Sequence, residues 1–167
     1  MEYIISGCFG LILGSFLNVC IYRLPREESL VRPRSRCPGC GAQIRWYDNV
    51  PVLSFLLLGA KCRDCKHPIS WRYPLVELLC AVIAILFMSR SIGSPLWLAV
   101  SLTAAYGLVT LSFIDIDTMM IPDEISIGLA VLGLAFFWVN PNFSGGLWAR
   151  FFQSLGGAAG GFFLMWG

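Results

Sequence analysis

Residues 3 to 22 read YIISGCFGLILGSFLNVCIY, twenty residues without a charge, and Arg23-Leu24-Pro25 follows at once. An α-helix rises about 1.5 Å per residue, so a run of this length crosses a hydrocarbon core of about 30 Å. A secretory signal is the competing reading of an apolar N-terminal run. It requires a basic leading segment and a small-residue cleavage site, and Met1-Glu2-Tyr3 and Tyr22-Arg23-Leu24-Pro25 supply neither. The composition agrees with a permanent membrane helix: 57% of the chain is hydrophobic and 13% charged, whereas soluble domains are roughly a quarter charged. With 167 residues, two large soluble domains are excluded.

Four further apolar runs, at residues 73–88, 95–114, 125–139 and 147–166, give an all-α polytopic membrane protein of about five transmembrane helices. The second and fourth are near the short end of the spanning range, so a buried or re-entrant segment is the alternative for either. The organisation expected is a first helix at 1–22, a basic loop at 23–72 and a membrane body at 73–167.

The charges orient it. Ten of the twelve basic residues (Arg23, Arg26, Arg32, Arg34, Arg36, Arg45, Lys61, Arg63, Lys66 and Arg72) lie between the first two helices, against Glu27, Glu28, Asp48 and Asp64, a net of +6. Short basic loops stay in the cytoplasm, which puts the N-terminus outside, residues 89–94 outside, residues 115–124 inside and residues 140–146 outside. Attraction of the loop to anionic lipid is compatible with this.

Within the loop, Cys37-Pro38-Gly39-Cys40 and Cys62-Arg63-Asp64-Cys65 stand twenty-one residues apart. Two C-x2-C pairs at such a separation present four thiolates to one tetrahedral ion. Zinc is the metal expected, with iron the lesser candidate, and its role is structural because four protein ligands leave no open position. Disulfides conflict with a reducing compartment, and a redox pair would sit beside a βαβ pattern that is absent. Gly41 is expected to take the positive φ of such a turn. His67 is read as a loop residue, and Cys8, Cys20 and Cys80 as small buried hydrophobes.

Asp115 ends the third apolar run with no polar residue between it and Ile114, a costly place for a charge unless it faces water or protein. It is the leading catalytic candidate. Asp117 in the turn, Asp123 as a helix cap and Glu77 one turn into the second helix have adequate structural readings and rank below it. Gly10 with Gly14, Gly156 with Gly160 and Gly157 with Gly161 have the four-residue spacing of close helix packing in lipid. The basic loop lacks the alternating aromatics of a nucleic-acid platform, so no nucleic-acid partner is expected.

The run from Gly14 to Pro25, the two cysteine pairs, the segments Asn49 to Ser54 and Ile69 to Glu77, and Ile114-Asp115 followed by Ile121-Pro122-Asp123 together resemble the bacterial type IV prepilin peptidases. That resemblance implies an inner-membrane aspartic endopeptidase that removes the basic leader of prepilins and pseudopilins and methylates the new N-terminus with S-adenosylmethionine. Asp115 would be its first catalytic aspartate, and pilus or type II secretion assembly proteins its other partners. The family's second aspartate lies in a Gly-x-Gly-Asp motif that residues 1–167 do not contain, so the expectation is a C-terminally truncated body of little or no activity. Leu58-Gly59-Ala60-Lys61 departs from the family's basic residue and glycine before Cys62. A noncatalytic zinc-containing membrane adaptor is the alternative function.

Overall fold

The computed structural model describes residues 1–32, 34–90 and 94–166, leaving part of the expected external turn at residues 89–94 outside the described residues. The fold is all-helical: α1 (Glu2–Arg23), the short α2 (Leu53–Leu57), α3 (Arg72–Arg90), α4 (Pro95–Thr118), α5 (Asp123–Ala135) and α6 (Leu147–Trp166).

The glycines of α1 bring it against α3. A Cβ built on Gly10 would fall 2.6 Å from the Cα of Ala81, and one on Gly14 would fall 2.6 Å from the Cα of Glu77. One turn further, the Asn18 amide donates to the Tyr73 carbonyl (3.1 Å). As residue numbers rise along α1 they fall along α3, so the two helices are antiparallel and touch backbone to backbone, which only glycine permits. Helix α4 returns beside α3: the Tyr106 hydroxyl donates to the Cys80 carbonyl (3.1 Å), and Arg72 pairs with Asp117 at the other end. Ile21, Val76, Cys80, Tyr106 and Ile114 form the buried core between the three.

Local chemistry sets the bounds of α4. Ser94 caps its N-terminus by accepting from the Trp97 N–H (3.3 Å), Pro95 occupies the first turn, and Met119 ends it at φ 53° with its N–H on the Asp115 carbonyl. The helix therefore runs past the expected end at residue 114, and Asp115 and Asp117 belong to its last turn. Asp117 does not organise a turn, since its side chain is drawn to Arg72. Asp123 does not cap α5 either: Pro122 holds the cap position and Asp123 is the first helical residue, where the helix dipole favours an acid.

Among the described residues, three helical segments are long and apolar enough to cross a membrane: Glu2–Arg26, Arg72–Ser89 and Pro95–Thr118. The fourth expected helix stops at Ala135 and gives way to a 3-10 turn at Phe137–Val139, where the Trp138 indole takes the Ala135 carbonyl. Its 13 residues cover roughly 20 Å at about 1.5 Å each, short of a bilayer core. Gly156, Gly157 and Gly160 meet nothing within 4 Å, so the packing expected of them is not made among the described residues, and the surroundings of Gly161 lie outside them. Cys20 and Cys80 are buried as expected, whereas Cys8 is exposed.

Candidate functional site

The loop between α1 and α3 is built around two matching knuckles. The Cys37 N–H donates to the Ala42 carbonyl and the Gly41 N–H to the Cys37 carbonyl, while the Cys62 N–H donates to the His67 carbonyl and the Lys66 N–H to the Cys62 carbonyl. Isolated antiparallel bridges, Arg36 with Gln43 and Lys61 with Pro68, close the two turns at equivalent places. Gly41 has φ 71°, as expected, and Lys66 holds the equivalent position at φ 61° despite its side chain. The His67 ring packs over Gly39, where a Cβ would fall 2.9 Å from it, and joins one knuckle to the other.

The four Sγ atoms of Cys37, Cys40, Cys62 and Cys65 lie within 4.8 Å of one another, with Cys37 and Cys65 3.7 Å apart. A tetrahedron with metal–sulfur bonds of about 2.3 Å has edges of roughly 3.8 Å, so the cluster has the dimensions of a four-thiolate site. No disulfide joins cysteines among the described residues. The thiols do not behave alike. Burial opposes ionisation of Cys37, but the backbone N–H groups of Cys40 and Gly39 and the neighbouring thiols outweigh it and hold that pKa down at about 7. At Cys65 the His67 N–H favours the anion, yet burial and the other three sulfurs push the value up to about 12. Four negative charges cannot gather here without a cation among them.

A fork of hydrogen bonds ties the module to the segment between the knuckles: Arg63 Nε reaches both oxygens of Asp48 (3.2 and 3.0 Å) and Nη2 reaches Oδ1 (2.6 Å). The Arg63 guanidinium holds the Asp48 carboxyl below the usual carboxylate range. A second tie runs to the membrane helices, where the Val52 N–H donates to Glu77 Oε2 (2.7 Å) and Val52 itself is held at φ 58°, a conformation β-branched residues rarely adopt.

Between the module and the ends of α1, α3 and α4 is a cavity of about 700 Å³. Asn18, Tyr22, Arg23, Arg72, Glu77 and Asp117 are among its lining residues. Of the acidic candidates, Glu77 is buried in its wall, and Asp117 faces it while paired to Arg72. Asp115 is exposed in the last turn of α4, at the module's end of the bundle as the Arg72–Asp117 pair requires, and Asp123 is exposed at the start of α5. The structure does not bring these four acids into one cluster. Residues two apart on a helix face different sides, so Asp115 and Asp117 are not a pair. Asn18 and Arg72 were missed by sequence reasoning; an amide inside an uncharged membrane-length run was the available signal for Asn18.

These features define a class: a polytopic membrane protein with a four-cysteine module and an acidic boundary at one end of its helices. The "Bacterial Peptidase A24 N-terminal domain" model matches residues 8–91 and the "Type IV leader peptidase family" model matches residues 102–167. The chain belongs to the type IV leader peptidase family. It is 47% identical over 126 residues to a prepilin leader peptidase/N-methyltransferase of Myxococcus xanthus, covering 75% of this chain and 37% of that protein. To its counterpart in Aeromonas hydrophila it is 39% identical over 187 residues, covering 95% and 60%. A type 4 prepilin-like proteins leader peptide-processing enzyme of Escherichia coli is 43% identical over 152 residues, covering 80% and 56%. The chain thus spans between 37% and 60% of the length of these relatives. No solved structure matches it.

Proposed function

We propose that this protein processes type IV prepilins and pseudopilins at the cytoplasmic face of the bacterial inner membrane. It removes the basic leader by aspartic proteolysis and methylates the amine so exposed. The observation that carries the reading is the position of Asp115: an exposed acid at the end of a membrane-length helix, on the same side as the basic cysteine module. A substrate with a basic leader followed by a membrane helix keeps that leader in the cytoplasm, so its scissile bond meets the membrane at the same level. In this reading the N-terminus is outside, α5 with the 3-10 turn that extends it to Val139 and α6 complete five membrane segments, and the loop faces the cytoplasm.

Aspartic chemistry uses two carboxyl groups, one ionised to activate water and one protonated to hydrogen-bond the carbonyl. Asp115 supplies one. Asp117 is engaged by Arg72 and Asp123 stands at the start of another helix, so neither is assigned the second role. Residues 1–167 on their own are accordingly proposed to cleave poorly. Cys37, Cys40, Cys62 and Cys65 would hold a zinc ion, which fixes the two knuckles and takes no part in bond breaking because no position on it is open. S-adenosylmethionine as methyl donor carries both a carboxylate and positive charge. The volume of the cavity falls in the range of small-molecule sites.

The test is to produce a prepilin together with the intact gene product in membranes and follow loss of the leader. Wild-type protein is expected to cleave it and Asp115→Asn to abolish cleavage with zinc still bound. Full cleavage by an inserted Asp115→Asn protein would show that another acid acts.

A further inference from the structure

Asn18 is 2% exposed, and its Oδ1 is a buried acceptor without a hydrogen-bond partner. Its orientation is not arbitrary. The other end of the amide faces two carbonyls, those of Gly14 (3.3 Å) and Tyr73 (3.1 Å), so that end must be the NH₂ and the remaining oxygen is the unpartnered acceptor, on a residue that lines the cavity. A buried acceptor without a donor is costly, and in membrane helices such groups mark binding positions.

Glu77 belongs to the same stretch of wall. Gly14, one turn before Asn18, lies against the Glu77 backbone, and Tyr73, which Asn18 bonds, lies one turn before Glu77. Glu77 is 6% exposed, and its carboxylate accepts from the Val52 N–H and from the Ser15 hydroxyl, both neutral donors. The ion pairs among the described residues, Arg63–Asp48 and Arg72–Asp117, do not include it. The amide oxygen lacks a donor, and the buried carboxylate has neutral donors but no counter-charge, so this wall calls for a donor that is also positively charged.

We propose that Asn18 and Glu77 form a binding site for a primary amine. A peptide N–H would satisfy one acceptor and leave the carboxylate's charge unmatched; an ammonium group presents several donors and the charge together. That the amine is the N-terminus released by leader removal rests on the proposed function. The chemistry of the site does not.

The experiment uses the intact gene product in nanodiscs and two synthetic probes: an apolar peptide of about twenty residues with a free N-terminal amine, and the same peptide acetylated. Binding is read by fluorescence without any methyl donor. Wild-type protein is expected to prefer the free amine by about tenfold or more, the size of a charge-assisted hydrogen bond, and Asn18→Leu and Glu77→Gln should each bring the preference close to one. Glu77→Gln retains volume and an acceptor for Val52, so it decides the matter if Asn18→Leu fails to insert. Equal binding of the two peptides by wild-type protein, or an undiminished preference in Glu77→Gln, overturns the proposal. Prepilin cleavage by the same wild-type preparation reports separately on the functional reading. An amine preference without cleavage would remove that reading and leave the site.

Discussion

Replacing Gly14 by alanine tests the packing that positions the groups at the cysteine-module end of the bundle. The added Cβ would fall 2.6 Å from the Cα of Glu77, 3.1 Å from the Cβ of Cys80 and 3.1 Å from the carbonyl oxygen of Val76. Carbon atoms rest at about 3.5–4.0 Å, so α1 and α3 must part by roughly 1 Å at this level. The nearest contact is backbone, and no side chain can swing aside to absorb it. The Asn18–Tyr73 hydrogen bond, now 3.1 Å, would stretch beyond bonding distance. Overpacking of this kind costs about 1–3 kcal/mol and the lost hydrogen bond about 1 kcal/mol, while the better helix propensity of alanine returns about 1 kcal/mol. The net expectation is a loss of about 1–3 kcal/mol. Gly128→Ala in α5, with nothing within 4 Å of its Cβ, is the control and should be neutral or slightly stabilising. Reversible unfolding in mixed micelles compares the three proteins. If Gly14→Ala is as stable as Gly128→Ala, the close α1–α3 contact is wrong.

Cys37→Ser should lose the bound metal and expose residues 34–70 to protease while the membrane helices stay folded, as metal analysis and limited proteolysis would show. Lys66→Gly should stabilise the second knuckle by on the order of 1 kcal/mol, because the left-handed φ of 61° suits glycine, and zinc release by a competing chelator would slow accordingly. Arg63 depresses the Asp48 pKa, so their contribution to stability is present above the unfolded value of about 3.9 and is lost as pH falls through the lower folded one. Asp48→Asn should remove that part of the acid dependence of module unfolding, and added salt should weaken it in the wild type because the pair is exposed.

The three membrane-length runs and the paired cysteines are legible because each reports a single constraint, lipid thickness in one case and four sulfurs gathered at tetrahedral spacing in the other. Gly41 was legible for the same local reason. What sequence did not show depends on contacts between distant residues. Asp117 was read as a turn residue because Arg72, its partner, stands forty-five positions away. Asp123 was read as a cap because proline is an unusual residue at that position, although Pro122 takes it here. For Asn18 the sequence offers one signal, an amide in an uncharged run, but its two carbonyl partners and its unpartnered oxygen emerge only from the packing of α1 on α3. The fourth helix was drawn too long because Phe136 to Val139 is apolar enough to continue it, and the indole bond to Ala135 is invisible in the sequence.

The central claim is tested most directly by the mass of the N-terminal peptide of a prepilin recovered from membranes that contain the intact gene product. The account predicts a chain beginning immediately after the leader and carrying one methyl group on its amine, and an unprocessed leader when Asp115 is asparagine. A prepilin that keeps its leader beside inserted, zinc-loaded wild-type protein would contradict it.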